Sequence, residues 1–72
     1  MQITDKQLKQ ALKLCKAIGN SYGYSDPDEL IAYLVERLGR LAERWEPARN
    51  VSFLAYCRTS LRGYAKNFFR DS

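Results

Sequence analysis

The sequence predicts an all-α domain of three to four helices around one hydrophobic core. Apolar residues recur at helical spacing in three segments, a capping sequence precedes each segment, and no segment shows the alternation of a β-strand. The chain has 72 residues, 46% of them hydrophobic and 28% charged, which favours one folded domain over residues 1–72.

The first helix is predicted to begin after Thr4, because Thr4-Asp5-Lys6-Gln7 has the form of a capping box. Lysines occupy the remaining faces of this segment, and Gly19 is the expected stop. Its apolar positions are Leu8, Ala11, Leu12, Cys15 and Ile18.

The second helix is predicted to begin at Asp26-Pro27, with Asp26 as the cap and Pro27 at a position that needs no N–H donor. Its apolar stripe ends before Pro47 and comprises Leu30, Ile31, Leu34, Leu38, Leu41, Ala42 and Trp45. Ser52 is the predicted cap of a third helix, whose stripe comprises Phe53, Cys57, Leu61, Tyr64 and Phe68.

These stripes predict which large side chains are buried together. The expected cluster comprises Leu12, Ile31, Leu34, Leu38, Trp45, Phe53, Leu61 and Tyr64. Cys15 and Cys57 are expected to be reduced core residues, since they are far apart in sequence and the chain has no histidine.

Charge is distributed unevenly along a chain whose net charge is +4. Residues 25–45 carry five acidic groups against three arginines, which predicts an acidic second helix in a basic protein. On the third helix a cation recurs every four residues, at Arg58, Arg62, Lys66 and Arg70. This ridge can follow successive phosphates, with Tyr56, Tyr64, Phe68 and Phe69 available to stack on bases. A solvated basic surface over an aromatic core explains the same residues equally well.

Four motifs between Leu8 and Asp71 resemble conserved region two of bacterial sigma factors, in the same order and spacing. Glu29-Leu30-Ile31 stands at the family's Asp-Leu-Ile, and residues 45–49, Trp-Glu-Pro-Ala-Arg, at its Phe-Asp-Pro-x-Arg turn. Residues 51–57, Val-Ser-Phe-Leu-Ala-Tyr-Cys, are similar to its Phe-Ser-Thr-Tyr-Ala stretch, and residues 61–64, Leu-Arg-Gly-Tyr, to its Ile-Arg-Gly-Ala.

The resemblance implies two binding surfaces on this chain. The second helix would bind the clamp helices of the RNA polymerase beta-prime subunit, through Glu29, Leu30, Ala32, Tyr33 and Glu36. The third would hold the non-template strand of the promoter minus-ten element, with Tyr56 as the platform for a flipped base. The DNA-binding set is Arg49, Tyr56, Arg58, Thr59, Arg62, Lys66, Asn67 and Arg70.

The chain departs from the family pattern at several positions, and these departures bear on which partners it is expected to need. Ala32-Tyr33-Leu34 replaces the family's Gln-Glu-Gly, and Thr59 and Ser60 replace the paired tryptophans of primary sigma factors. Because region four has no counterpart, the resemblance implies a second polypeptide that supplies it, or a phage-encoded factor that redirects host polymerase.

The sequence also bears on three other classes of protein. An enzyme is not expected, because helix capping explains the one carboxylate cluster, Asp26, Asp28 and Glu29, and no catalytic, metal or cofactor motif is evident. A small helix-turn-helix regulator that binds duplex DNA, and a decoy that binds polymerase or a sigma factor without DNA, both remain open. The start of the chain lacks the pattern of a signal peptide, so the expected location is the cytoplasm.

Overall fold

The computed structural model describes residues 3–46 and 50–71, and all regular secondary structure in these ranges is α-helical. The helices are α1 (Asp5–Ser21), α2 (Pro27–Arg44) and α3 (Phe53–Asp71). Each helix packs against the other two, and the molecule measures 37 × 21 × 16 Å. The predicted all-α class is confirmed.

The three predicted helix starts are also confirmed by their hydrogen bonds. The Gln7 N–H donates to Thr4 Oγ1 at 3.1 Å, while the Thr4 N–H donates to Gln7 Oε1 at 2.8 Å. Asp26 Oδ1 accepts from the Glu29 N–H at 3.3 Å, and Ser52 Oγ accepts from the Ala55 N–H at 3.1 Å. Side chains therefore satisfy N–H groups that no helical carbonyl can reach.

The predicted stop at Gly19 is wrong, because α1 continues to Ser21. The chain turns at Gly23 instead, which adopts a left-handed φ of 65°. Gly19 is buried, and a Cβ at this position would overlap Ile31 Cγ1 on α2. This glycine therefore permits close approach of two helices rather than ending one.

The end of α2 also differs from the prediction. Trp45, the expected last residue of the stripe, lies beyond the helix with an extended ψ of 134°. Its indole Nε1–H donates to the Val51 carbonyl at 3.0 Å, and its ring meets Phe53 edge-on at 5.5 Å between centroids. These contacts join the residue that follows α2 to Val51 and to the first residue of α3.

The buried core lies at the seam between the three helices. Among the large residues predicted to be buried, Leu34, Leu38, Phe53 and Leu61 are almost inaccessible to solvent, while Leu12, Ile31, Trp45 and Tyr64 are only half-buried. Several of the residues without solvent exposure are small, namely Ala11, Cys15, Cys57 and Ala65. The buried hydrophobic residues are Ala11, Cys15, Ile18, Leu30, Leu34, Leu38, Leu41, Ala42, Phe53, Cys57, Leu61, Ala65 and Phe68.

Both cysteines are buried free thiols, as predicted. Burial raises the pKa of Cys15 to about 11. Burial, with the neighbouring Cys15, raises the pKa of Cys57 to about 12. Both thiols are therefore protonated at neutral pH and behave as small apolar side chains. Within the described ranges no helix has the length and apolar character that a membrane crossing requires.

Candidate nucleic-acid interface

The exposed side of α3 carries the predicted row of cations, which we call the basic row. Arg58, Arg62, Lys66 and Arg70 are all exposed and lie on the side of the helix away from the core. At about 1.5 Å per residue the row is about 18 Å long, enough to pass about five phosphates of one B-form strand. Its last member, Arg70, is close to Asp71, with Nε to Oδ1 at 3.6 Å.

Beside the basic row, the side of α3 nearer to α2 has no charge. Tyr56, Ser60 and Asn67 are half-buried on this surface, and Thr59 and Gly63 are exposed. We call these five residues the uncharged strip. It contains three of the predicted DNA-binding residues, Tyr56, Thr59 and Asn67, so the structure brings them together beside the cations.

Tyr56 lies at the start of the uncharged strip, next to the turn between α2 and α3. Its side chain lines a surface pocket of about 330 Å³ together with Arg44, Trp45, Glu46 and Val51. The predicted base platform is thus accessible and adjoins a second aromatic ring and an arginine. A volume of this order lies at the lower end of the range for small-molecule sites. Arg49, the remaining member of the predicted DNA-binding set, lies outside the described residues.

Two other predicted stacking residues lie at the opposite end of α3, in an aromatic cluster. Phe68 is 8% exposed and packs edge-on against Tyr24 and Tyr33, so its ring faces have no room for a base. Phe69 is 36% exposed and packs against Tyr22 at 5.4 Å between centroids. This cluster joins the α1–α2 turn to the end of α3, which is a structural role.

Within the same cluster, the Tyr24 hydroxyl donates to Glu29 Oε2 at 3.4 Å. Burial, followed by the negative charges of Glu29 and Asp26, raises the pKa of the Tyr24 phenol. The phenol therefore remains a hydrogen-bond donor at neutral pH, and Glu29 has one internal partner.

The outward side of α2 is acidic, as its composition predicts. Glu29, Ala32, Glu36 and Glu43 are exposed on one side of the helix, which we call the acidic face. Three of the predicted polymerase-binding residues, Glu29, Ala32 and Glu36, share this face.

The other two predicted polymerase-binding residues lie elsewhere. Leu30 is fully buried, so its side chain supports the helix from within and offers no surface to a partner. Tyr33 is half-buried and turns toward α3, where its ring meets Phe68 at 5.0 Å between centroids. Leu30 is therefore unavailable to a partner on the acidic face, whereas Tyr33 keeps part of its surface exposed one turn from Glu29 and Glu36.

Three arginines that the sequence analysis did not assign to DNA lie along the edge of α2 nearest to α3. Arg37 Cζ is 5.7 Å from the centroid of the Tyr64 ring on α3, and Arg44 lines the same pocket as Tyr56. Arg40 is exposed between them on the same edge. We call Arg37, Arg40 and Arg44 the arginine edge.

The spacing of these arginines was the signal that could have revealed them. They recur at positions i, i+3 and i+7, and Arg40 also lies one turn from Glu36 and from Glu43, so the arginine edge borders the acidic face. Net charge summed over residues 25–45 hides this row of arginines.

Among the described residues, no cluster of side chains of the metal-binding types (histidine, cysteine, aspartate or glutamate) could hold a metal ion. Comparisons of the chain with protein-family models, with curated proteins and with solved structures gave no match. The geometry and the chemistry of the surfaces are therefore the basis for a functional proposal.

Proposed function

We propose that this chain is a transcription factor domain similar to sigma region two, which binds RNA polymerase core and a single strand of promoter minus-ten DNA. It would act by binding rather than by catalysis, in the cytoplasm, with a second polypeptide supplying contacts to upstream promoter DNA. The observation that carries the proposal is the position of Tyr56, half-buried in a pocket with Trp45 and Arg44 at the start of an uncharged strip bordered by cations.

This arrangement suits a single strand better than an intact duplex. An unpaired base exposes its aromatic faces, which can stack on a tyrosine, while the phosphates on either side need cations. The pocket offers a ring and the basic row offers four positive charges. Opening a duplex to present the base costs a few kcal/mol, which stacking and phosphate contacts must offset.

The acidic face of α2 supports the polymerase part of the proposal. It borders the arginine edge at Arg40, which lies one turn from Glu36 and Glu43, whereas the basic row lies on a different helix. A basic clamp surface on polymerase would be attracted to the acidic face and repelled by the basic row, which would orient the two proteins as they meet.

Replacement of Tyr56 by alanine tests the DNA part of the proposal. Stacking on one base contributes about 1–3 kcal/mol, so Tyr56→Ala should weaken binding to a minus-ten single strand by about 5-fold to 150-fold. Affinity for the matching duplex should change much less. Both affinities are measured by fluorescence anisotropy in the presence of core polymerase.

Tyr56→Phe is the matched control, because it keeps the ring and removes only the hydroxyl. It should retain most of the affinity for the single strand. Equal losses on single strand and duplex in Tyr56→Ala would favour a duplex-binding regulator, and a folded Tyr56→Ala variant with unchanged affinity would refute base capture by this ring.

A helix-turn-helix regulator is the main alternative, since it also has three helices and a basic last helix. In that motif a turn of about three or four residues joins the two DNA-binding helices. Here residues 22–26 separate α1 from α2, and residues 45–52 separate α2 from α3. Only three residues lie between the caps Tyr22 and Asp26, which is within the range of that motif, but the connection that precedes the basic last helix is longer, which favours the sigma-like proposal. A decoy that binds polymerase or a sigma factor alone would show polymerase capture without strand binding.

A further inference from the structure

Arg37 holds its guanidinium against an aromatic ring. The Cζ atom lies 3.7 Å from the centroid of the Tyr33 ring, one turn earlier on α2, and 5.7 Å from that of Tyr64 on α3. One face of the planar guanidinium is stacked on the ring. The N–H donors of the guanidinium lie in its own plane and point outward from its edges. The group is therefore restrained before a ligand arrives, which lowers the entropy lost on binding an anion.

The charge of Arg37 is not neutralised by any carboxylate of the described residues. Its interactions are the two ring contacts, and it forms no ion pair with residues 3–46 or 50–71. Along the same edge Arg44 lines the Tyr56 pocket, and Arg40 lies one turn from Glu36 and Glu43 at the border with the acidic face. An anion at Arg37 would thus meet a preoriented set of donors.

The arginine edge and the basic row run on opposite sides of the uncharged strip. On one side of the strip, Tyr64 lies next to Arg37, and Tyr56, a member of the strip, lines the same pocket as Arg44. Two lines of positive charge with uncharged and aromatic side chains between them suit a nucleic-acid strand, whose charged backbone flanks uncharged rings. A protein partner of matching pattern would need two rows of carboxylates, and it would leave the aromatic pocket unused.

We propose that Arg37 is a phosphate-binding residue for single-stranded DNA, so that the strand lies between α2 and α3 and contacts the arginine edge as well as the basic row. This inference rests on the proposed function, because it assumes that the strand binds at Tyr56. It adds a second element to the site and assigns α2 two roles, with polymerase on its acidic face and DNA on the adjoining arginine edge.

The test measures the salt dependence of single-strand binding for Arg37→Ala, in the assay used for Tyr56. Loss of one phosphate contact should reduce the slope of log affinity against log salt concentration by about 0.7. Lys13→Ala is the matched control, because it removes one exposed positive charge from α1, on the side away from the core. Its slope should equal that of the parent protein.

An Arg37→Ala slope equal to that of Lys13→Ala would overturn the inference. Arg62→Ala, on the basic row, separates this failure from failure of the proposed function. If Arg62→Ala lowers the slope and Arg37→Ala does not, the strand binds α3 alone and only the inference fails. If neither substitution changes the slope and Tyr56→Ala has no effect, the proposed function fails too.

Arg37→Lys decides the matter if Arg37→Ala is unfolded at the assay temperature. Lysine keeps the charge but lacks the planar group that stacks on Tyr33 and donates two parallel hydrogen bonds. The expected result is an unchanged slope with several-fold weaker binding of the single strand. Affinity equal to that of the parent protein would contradict a specific phosphate contact at this residue.

Discussion

Phe53 has the largest side chain among the residues with almost no solvent exposure, and it lies where α3 begins under the turn from α2. Its ring contacts Trp45, which is only half-buried and is held by the hydrogen bond to Val51. At the scale of single residues, these two aromatic side chains connect the core to the surface pocket beside Tyr56, since Trp45 also lines that pocket.

The two rings should therefore differ in their contribution to stability. Phe53→Ala should lower the free energy of unfolding by about 3–5 kcal/mol, which is enough to unfold most molecules of so small a domain. Trp45→Ala should lower it by less, because part of the indole remains in contact with water in the native state. Urea unfolding followed by circular dichroism measures both. Equal losses would mean that Trp45 is as buried as Phe53.

At the scale of helices, the contact of Gly19 with Ile31 sets how closely α1 and α2 approach. Glycine inside a helix is usually unfavourable by about 0.5–1 kcal/mol relative to alanine. At Gly19 this intrinsic preference is overridden, since a methyl group would overlap the Ile31 side chain and lie 3.5 Å from the Ile31 Cα.

Gly19→Ala should consequently destabilise the domain by about 1–3 kcal/mol, as α1 must move away from α2. Gly39→Ala in α2 is the matched control, because nothing lies within 4 Å of a Cβ at that position. The control should gain up to about 1 kcal/mol from its higher helix propensity. Thermal melting of the two variants gives the comparison, and stabilisation by both would show that the helices are not in close contact at Gly19.

At the scale of the whole molecule, charge is separated by surface rather than by helix. The acidic face of α2 points outward, while the arginine edge and the basic row lie on either side of the uncharged strip. Sites that share no contacts usually behave independently. The proposed function therefore predicts that polymerase and DNA bind different surfaces of the molecule at the same time.

Reversal of one charge on the acidic face tests this independence. Glu36→Lys should weaken capture of core polymerase, measured by pull-down, while single-strand binding by the isolated domain stays within about twofold of the parent. Glu36 is preferable to Glu29, whose carboxylate accepts a hydrogen bond from Tyr24. Arg62→Ala should show the reverse pattern. Unchanged capture by folded Glu36→Lys would remove the acidic face from the polymerase interface.

Local features of the sequence were sufficient for the fold class and the helix starts. Thr4, Asp26 and Ser52 cap their own helices, because each accepts a hydrogen bond from an N–H three residues later and needs no distant contact. The basic row was predictable for the same reason, since a spacing of four residues on one helix places side chains on one surface.

Only the tertiary structure decided which apolar residues are fully buried, where α1 ends and which side of α2 lies beside α3. In the sequence alone Gly19 has the features of a helix stop, but in the structure it lies against Ile31 of α2. Arg37 belongs to a segment of net negative charge, and only the structure shows that Tyr64 of α3 lies beside it. In each case the deciding neighbour comes from another helix, and spacing within one helix carries no information about that neighbour.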